Sequence, residues 1–208
     1  MSTLESPVKR VGAAERGRPR EFDTSAVLAA AADAFWERGY HATSIDDLCK
    51  ATGLLRGSLY AAFGDKRGIL LAALDHYSDA AVARLAGRLS AAEPSRETLR
   101  AALMYYTRTA AIVNGQCGCL ITNLATEMLP QDAEVAEKIL RNQTRMAALL
   151  AGEVARGQKA GVFSNQMGER EASNFLLCII QGLRVMGKVQ HEEQNLRDVV
   201  EMTMRALA

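Results

Sequence analysis

Residues 43–67 read Thr-Ser-Ile-Asp-Asp-Leu-Cys-Lys-Ala-Thr-Gly-Leu-Leu-Arg-Gly-Ser-Leu-Tyr-Ala-Ala-Phe-Gly-Asp-Lys-Arg, and this stretch decides the fold. The hydroxyl group of Ser44 can cap a helix, and Asp47 stands where a reciprocal capping arrangement needs a carboxylate. Apolar side chains follow at helical spacing until Gly53, a residue type that ends helices because it tolerates a positive φ. A second short helix is predicted from about Arg56. This layout indicates a helix-turn-helix, whose second helix enters the major groove of DNA.

The composition of the chain favours an all-α protein. Its 208 residues are 49% hydrophobic but only 5% aromatic, and only four prolines interrupt the chain. A chain of this length can form one large or two small domains. No apolar run approaches the roughly 20 residues of a membrane span, and the N-terminus carries no apolar signal region. We therefore expect a soluble, cytoplasmic protein.

Helical periodicity and breaker residues divide the chain outside this central stretch. They predict further helices at about residues 24–38, 65–89, 96–113, 117–128, 131–157, 169–189 and 193–207. With the two helices of the helix-turn-helix, this gives about nine helices and no confident strand. The predicted organisation is a basic flexible arm over residues 1–21, a helix-turn-helix domain over residues 22–67 and a ligand-binding and dimerisation domain over residues 68–208.

The N-terminal arm carries positive charge that the chain as a whole lacks. Residues 1–20 hold five basic and two acidic side chains, whereas the net charge of the protein is only +1. The arm precedes the helix-turn-helix, where the phosphates of DNA would lie. A solvated disordered tail is the alternative interpretation. In the first interpretation, Arg18 and Arg20 reach the adjacent minor groove.

The predicted helix at residues 169–189 is apolar on more than one side. Its apolar residues are Phe175, Leu176, Leu177, Ile179, Ile180, Leu183, Val185 and Met186. A helix that is apolar all round must be buried on several sides. Near a chain end, a second subunit explains this burial better than the internal core alone. The two-fold symmetry of such a homodimer would also suit a palindromic DNA site.

Residues 17–77 resemble the DNA-binding domain of the tetracycline-repressor (TetR/AcrR) family of bacterial transcriptional regulators. The matching features are Phe35-Trp36-Glu37-Arg38-Gly39-Tyr40, Ala42-Thr43-Ser44-Ile45, Gly53, Gly57-Ser58-Leu59-Tyr60, Phe63, Lys66 and Tyr77. The run Leu-Tyr-Ala-Ala-Phe-Gly-Asp-Lys is typical of one branch of the family. The resemblance implies three N-terminal helices bearing the helix-turn-helix, a connecting fourth helix and a variable helical effector domain. The last two helices usually form the dimer.

The resemblance also implies DNA contacts, position by position. Family members commonly place the residues that match Thr43, Tyr60 and Lys66 on DNA phosphates; packing against the first helix is the alternative for Tyr60. Arg56 is the candidate base reader, because the bidentate arginine–guanine pair is the commonest specific contact; a phosphate contact is its alternative. Ala61-Ala62 replaces a pair that is often aromatic or histidine in the family, so no phosphate contact is expected there. The predicted DNA-binding residues are Arg18, Arg20, Thr43, Ser44, Arg56, Gly57, Ser58, Tyr60 and Lys66.

The segment Cys117-Gly118-Cys119 is the sharpest feature of the second half of the chain. One interpretation is a thiol sensor, in which oxidation or alkylation changes the effector helices. Another is a soft-metal site completed by His76, His191 or Met128. The third is packing, with Cys119 as a small buried residue. Two cysteines cannot complete a tetrahedral site alone, so no metal or other cofactor enters the prediction.

A small-molecule pocket between the effector helices is the expected source of regulation, because helical bundles bind ligands in this way. Its candidate residues are Met104, Tyr105, Thr109, Cys119, Asn123, Met128, Met146 and Cys178. The sequence thus favours a homodimeric repressor that binds a palindromic double-stranded operator and is released by an effector. A cysteine-dependent enzyme is the rival from another class, but no histidine stands in a recognisable catalytic spacing. A non-specific architectural protein would need a larger basic patch.

Overall fold

A computed structural model describes residues 22–90, 94–111, 118–189 and 192–208 of the chain. Those residues form nine α-helices and no strand, which confirms the all-α prediction. The helices are α1 (Thr24–Arg38), α2 (Ile45–Thr52), α3 (Arg56–Phe63), α4 (Lys66–Arg88), α5 (Arg96–Ala111), α6 (Leu120–Met128), α7 (Ala133–Lys159), α8 (Glu169–Met186) and α9 (Glu193–Ala206). No helix in the described part is long and apolar enough to cross a membrane.

Short-range capping chemistry fixes where several helices begin. The Asp23 carboxylate accepts a hydrogen bond from the main-chain N–H of Ser25 at 2.9 Å, at the start of α1. Asp65 caps α4 through Gly68 N at 2.7 Å, and Asp132 caps α7. Each carboxylate satisfies N–H groups that have no partner within the helix and complements the positive end of the helix dipole. Each of these caps is a local interaction, between residues two or three apart in the chain.

The helices surround two hydrophobic clusters. The first unites α1 to α4 with α6 and the start of α7, around Phe35, Leu59 and Leu120. The second unites α5, α8 and α9 with most of α7 and the C-terminal part of α4, around Leu150 and Leu176. Helix α6 therefore packs in the core of the N-terminal helices, although it lies far from them in sequence. This packing joins the effector part of the chain directly to the helix-turn-helix.

The N-terminus of α6 differs from the sequence prediction. The helix begins at Leu120 rather than near Cys117, which lies outside the described residues. Gly118 has φ of 75°, a left-handed conformation that does not continue an α-helix. A Cβ atom at this position would also lie 2.7 Å from the Lys188 side chain. Cys119 is the N-cap residue of α6, and its side chain makes no capping hydrogen bond.

Two leucines in the helix-turn-helix allow a direct test of this packing. Leu59 is fully buried, whereas Leu55 is 80% exposed. We expect Leu59→Ala to lower the free energy of unfolding by about 2–5 kcal/mol, because it removes buried methyl groups and leaves a cavity. Leu55→Ala should change it by less than about 0.5 kcal/mol. Urea unfolding followed by circular dichroism measures both, and equal losses would contradict this assignment of the core.

Candidate DNA interface and ligand cavity

Helix α3 presents one face to solvent and buries the other. Leu59 anchors the buried face, while Arg56, Gly57, Ser58 and Tyr60 are exposed. A Cβ atom on Gly57 would meet nothing within 4 Å, so this end of α3 is free of neighbouring side chains. Helix α3 has only eight residues, and its exposed face carries the small residues Gly57 and Ser58 near its start. It can therefore approach a flat or grooved surface closely.

The turn before α3 is set by α2. Ser44 accepts a hydrogen bond from Asp47 N at 3.1 Å, and its own main-chain N–H donates to the Asp47 carboxylate at 3.0 Å. This is the reciprocal capping arrangement that the sequence predicted, and both bonds are present. Gly53 then adopts φ of 69° and ends α2 in the left-handed conformation. The two short helices are consequently joined by the glycine turn of a helix-turn-helix.

Arg56 is paired with Asp46 of α2. Its Nη2 atom lies 2.7 Å from Asp46 Oδ1, and both side chains are mostly exposed. The hydrogen bond and negative charge of Asp46 raise the pKa of Arg56, so this arginine carries its full charge. Ion pairs in such exposed positions contribute little to stability, because water screens them. Arg56 can leave Asp46 at small cost and turn toward a base edge.

Thr43 has a different position from the other predicted DNA contacts. The residue is fully buried, and its hydroxyl group donates to the main-chain oxygen of Gly39 at 2.6 Å. This side chain therefore fixes the connection between α1 and α2 from inside. Ser44, the next residue, is exposed beside it.

Lys66 lies at the start of α4 against the α1–α2 connection. Its ammonium group is 4.5 Å from the centre of the Tyr40 ring and 3.4 Å from the His41 main-chain oxygen. Lys66 is half-buried, and these contacts with Tyr40 and His41 restrict the position of its ammonium group. Tyr60, on the neighbouring α3, is 39% exposed. These two residues lie in the part of the surface that surrounds α3. Arg18 and Arg20 lie outside the described residues.

The side chain of Leu55 is exposed beside the predicted DNA-binding residues, although the sequence did not predict it as one of them. An exposed leucine directly before Arg56 is costly in water, and a thymine methyl group is one apolar partner that the major groove offers. The signal in the sequence was the pair Leu54-Leu55, of which only one can face the core.

A cavity of about 350 Å³ lies between α1 and the helices α4, α5 and α8. Its wall combines aromatic rings, small apolar residues and charged groups. The lining residues are Ala29, Ala32, Asp33, Trp36, His76, Tyr77, Ala80, Arg84, Tyr105, Tyr106, Thr109, Gly118 and Arg184. The contribution of α1 is unexpected, because the sequence placed the pocket wholly in the effector helices. A molecule in this cavity would touch the N-terminal and effector parts together.

The predicted ligand-binding residues are distributed over several places. Tyr105 and Thr109 lie on the cavity wall, and Cys119 lies directly behind it, in contact with Arg184 and Tyr77. The remaining five are elsewhere: Met104 and Met146 in the second hydrophobic cluster, Met128 in the first, Asn123 bonded to Lys188, and Cys178 exposed on α8. The structure thus brings together three of the eight.

Cys119 and Arg184 form the most unusual polar contact in the described part of the chain. Arg184 Nη1 donates to Cys119 Sγ at 2.6 Å, and Cys119 is only 1% exposed. Burial raises the pKa of the Cys119 thiol, but the Arg184 charge and hydrogen bonds from Thr122 outweigh burial and hold the pKa below its ordinary value. The neighbouring Tyr77 has a raised pKa, first through burial and then through Cys119. Arg184 thus favours the thiolate form of Cys119.

The metal interpretation of this cysteine gains no support from the geometry. Among the described residues, no three His, Cys, Asp or Glu side chains converge closely enough to hold a metal ion. Cys117 and His191, two of the ligands considered, lie outside those residues.

A carboxylate on α6 joins the two parts of the molecule. Glu127 accepts hydrogen bonds from the main-chain N–H groups of Tyr40, at 2.9 Å, and His41, at 2.7 Å. Gly39 permits this approach, since a Cβ atom there would lie 2.8 Å from Glu127 Oε2. A second contact between the two parts is the ion pair of Arg67 in α4 with Asp132, in which Nη2 lies 2.9 Å from Oδ1. The connection that precedes α2 is therefore bonded directly to the effector part.

Apolar side chains remain exposed on the last two helices and just beyond α8. Val185 is 47%, Met186 38%, Val189 78% and Met202 59% exposed. Leu176, Ile180 and Leu183 of α8 are buried within the subunit. The outer side of α8 and α9 thus offers apolar surface that the single chain leaves uncovered.

Comparison with known proteins gives matches along both parts of the chain. The bacterial regulatory proteins of the tetR family match residues 27–73, and a tetracyclin repressor-like C-terminal domain matches residues 95–203. The HTH-type transcriptional repressor ComR of Escherichia coli (strain K12) is 31% identical over 193 residues, which cover 91% of each chain. The uncharacterized HTH-type transcriptional regulator YezE of Bacillus subtilis (strain 168) is 29% identical over 92% of this chain and 99% of its own.

The solved structures include relatives bound to DNA. A cysteine mutant of the TetR family regulator CifR, in complex with 26-base-pair operator DNA, superposes with a TM-score of 0.80 and 29% identity. The match covers 92% of this chain and 100% of that one. Both the order of the helices and the position of the helix-turn-helix are therefore those of a known DNA-binding architecture.

The exposed position of Arg56 leads to a test of base reading. We expect Arg56→Ala to weaken binding to the cognate site by about 1–3 kcal/mol and to relax sequence preference at one base pair. Fluorescence anisotropy with cognate and scrambled duplexes measures both effects. Asp46→Asn is the matched control, since it frees Arg56 and removes a negative charge facing DNA; it should bind both duplexes more tightly. Equal losses for Arg56→Ala on cognate and scrambled DNA would show a phosphate contact instead.

Proposed function

The chain belongs to the tetR family of bacterial regulatory proteins and is a DNA-binding transcriptional regulator, and we propose that it is a homodimeric repressor released from its operator by a small molecule. In this proposal α3 of each subunit lies in a major groove. Its contacts come from Arg56, Gly57, Ser58 and Tyr60, with Ser44 and Lys66 on adjacent phosphates. Arg18 and Arg20 would extend the contact from the arm. Thr43 supports α2 from within.

The observation that carries the regulatory part of this proposal is the position of the cavity. Ala29, Ala32, Asp33 and Trp36 of α1 form one wall, and effector helices form the others. A ligand that binds one arrangement of α1 against α8 better than another will shift the population toward that arrangement. Since α1 packs against α2, that shift reaches the helix-turn-helix. The ligand thereby changes the positions of the two α3 helices on DNA.

Helix α6 supports a second route between cavity and DNA. Cys119 at its N-terminus contacts Arg184 of the cavity, and Glu127 near its C-terminus binds the connection before α2. A displacement of Arg184 is therefore passed along a rigid helix to Tyr40 and His41. Both routes begin at the same cavity.

The homodimer in this proposal forms through α8 and α9. Exposed Val185, Met186 and Met202 supply an apolar patch on these helices, and such patches mark association surfaces. A two-fold dimer would present two α3 helices to a palindromic operator. We place this complex in the cytoplasm, with the DNA. No catalytic role is proposed, since the relatives are named as regulators of transcription.

The dimer can be tested with two apolar surface positions. Val185→Asp should convert the dimer to monomers in analytical ultracentrifugation, because the charge would be buried at the interface. Its affinity for a palindromic operator should fall roughly 100-fold or more, as the two heads no longer bind together. Leu140→Asp, on α7 with a leucine that is 62% exposed, is the control and should remain a dimer. If the Val185→Asp protein is folded and still dimeric, the proposed interface on α8 is wrong.

The operator itself is found by footprinting the purified protein on DNA upstream of its own coding region, followed by a screen for small molecules that release it. Release by one molecule, with unchanged folding, supports a ligand-released repressor. Failure to bind any duplex would remove the proposal altogether.

A second candidate signal is an electrophile that reacts with Cys119, favoured by the 2.6 Å contact with Arg184. The thiolate would add to the electron-poor carbon of an activated C=C bond, forming an S–C bond. The electron pair of the double bond moves to the adjacent carbon, which takes a proton from solvent. Because the product is neutral, Arg184 loses the thiolate as its counter-charge. This loss of a buried partner would disturb α6 and α8 together.

Serine substitutions separate the thiol response from other causes. Cys119→Ser should abolish release of the operator by N-ethylmaleimide, measured by anisotropy. Cys178→Ser removes an exposed thiol, and this variant should be released by N-ethylmaleimide like the wild-type protein. Full release of the Cys119→Ser protein would assign Cys119 to packing, and Cys117→Ser then tests its neighbour.

A further inference from the structure

We propose that the cavity binds a small organic anion with a flat, apolar or aromatic body, and that Arg184 holds its negative charge. This inference deepens the proposed function, because it gives the chemical class of the molecule that would act on the repressor. It rests on four features of the wall: unneutralised arginines, the geometry of Arg184, an unpaired donor and aromatic faces.

Two arginines, Arg84 and Arg184, line the cavity, and a third, Arg88, stacks on the lining residue Tyr105. Arg84 stacks on Tyr77, Arg88 on Tyr105 and Arg184 on Tyr106, with 6.0, 3.5 and 4.9 Å between guanidinium carbon and ring centre. Within the described part of the chain, none of them has a carboxylate at ion-pair distance. By contrast, seven other described arginines each lie within ion-pair distance of an Asp or Glu: Arg38, Arg56, Arg67, Arg100, Arg145, Arg156 and Arg197. The cavity thus gathers positive charge that no ion pair with a described carboxylate neutralises.

Arg184 is the most enclosed of the three, and its surroundings call for an anion. The groups that act on its charge are Cys119, Tyr77 and Tyr106, and none of them is a carboxylate. Stacking on Tyr106 occupies the face of the guanidinium, while the N–H donors lie in its plane. Only Nη1 donates to Cys119. The remaining edge can bind a carboxylate in the bidentate geometry that arginine favours.

Trp36 gives an independent indication of a missing acceptor. It lines the cavity, and its indole nitrogen is buried without a hydrogen-bond partner among the described residues. A buried N–H group without a partner is unfavourable by about 1–3 kcal/mol, so such groups are rare in folded proteins. Trp36 also packs edge-on against Tyr77, with 6.1 Å between ring centres. A small movement of this pair on binding would give the N–H group a ligand oxygen as acceptor.

The walls between these polar groups select the body of the ligand. Trp36, Tyr105 and Tyr106 provide aromatic faces, while Ala29, Ala32 and Ala80 leave flat space opposite them. Aromatic ligands bind well between such surfaces through offset and edge contacts. The carboxylate of Asp33, on the same wall, would repel a second negative charge on the ligand. The pKa of its carboxyl is raised by burial and by Glu37, so a single negative charge on the ligand suits the cavity better than two.

The test compares each anion with its neutral isostere. Calorimetric titration of the full-length dimer uses 3-phenylpropanoate and 2-naphthylacetate, each beside its carboxamide. We expect both carboxylates to bind at least tenfold more tightly than the amides. Arg184→Met should abolish this preference, and Arg184→Lys should retain part of it. Because Trp36 is the only tryptophan of the chain, 3-phenylpropanoate should also change the protein fluorescence.

The matched control is Arg170→Met, which makes the same change near the start of α8, where Arg170 is exposed. It should keep the preference for carboxylates. Equal binding of acids and amides, or an unchanged preference in a folded Arg184→Met protein, would overturn the inference. Operator binding is measured on the same samples. If it is intact while the carboxylate preference is missing, the ligand class is wrong and the repressor stands; if no protein binds DNA, the proposed function fails first.

Discussion

The carboxylate of Glu127 holds the helix-turn-helix to the rest of the molecule. It accepts two main-chain N–H groups, from Tyr40 and His41, in the connection that leads into α2. Bonds from N–H groups to a charged carboxylate are stronger than neutral ones, and two of them fix direction as well as distance. Gly39 is required beside them, because its φ is 80° and a side chain would meet Glu127. The orientation of α2 and α3 thus depends on α6, more than 80 residues away in the chain.

The two ends of helix α6 contact different parts of the molecule: the N-terminal end contacts Arg184 at the cavity, and the C-terminal end contacts the connection before α2. Cys119, which contacts Arg184, and Glu127 lie about 12 Å apart along the helix axis, at roughly 1.5 Å per residue. Between those ends, Leu120 and Leu124 are fully buried in the cluster that contains α1 and α4. A helix packed in this way moves as a unit, and packed cores switch between discrete arrangements rather than bending continuously. In the function proposed above, events at the cavity would therefore reach the helix-turn-helix without any change in α6 itself.

The features that the sequence predicted are those set by local interactions. The capping pair Ser44–Asp47 and the glycine turn at Gly53 depend on neighbours within a few residues. The cavity could not be predicted in the same way, since Trp36, Arg84 and Arg184 come from three distant helices. Thr43 illustrates the same limit: its type and resemblance suggested a phosphate contact, but a hydrogen bond to Gly39 places it inside.

Arg184 connects the two signals proposed for this regulator. A largely enclosed guanidinium needs a counter-charge, and among the described residues the Cys119 thiolate, in contact with Arg184, can supply one. A carboxylate bound to the same guanidinium would supply that charge instead, and its proximity would disfavour the thiolate. The coupling is reciprocal, because each species changes the affinity of Arg184 for the other by the same free energy. An anion would thus protect Cys119 from electrophiles, and alkylation of Cys119 would leave Arg184 free to bind an anion more tightly.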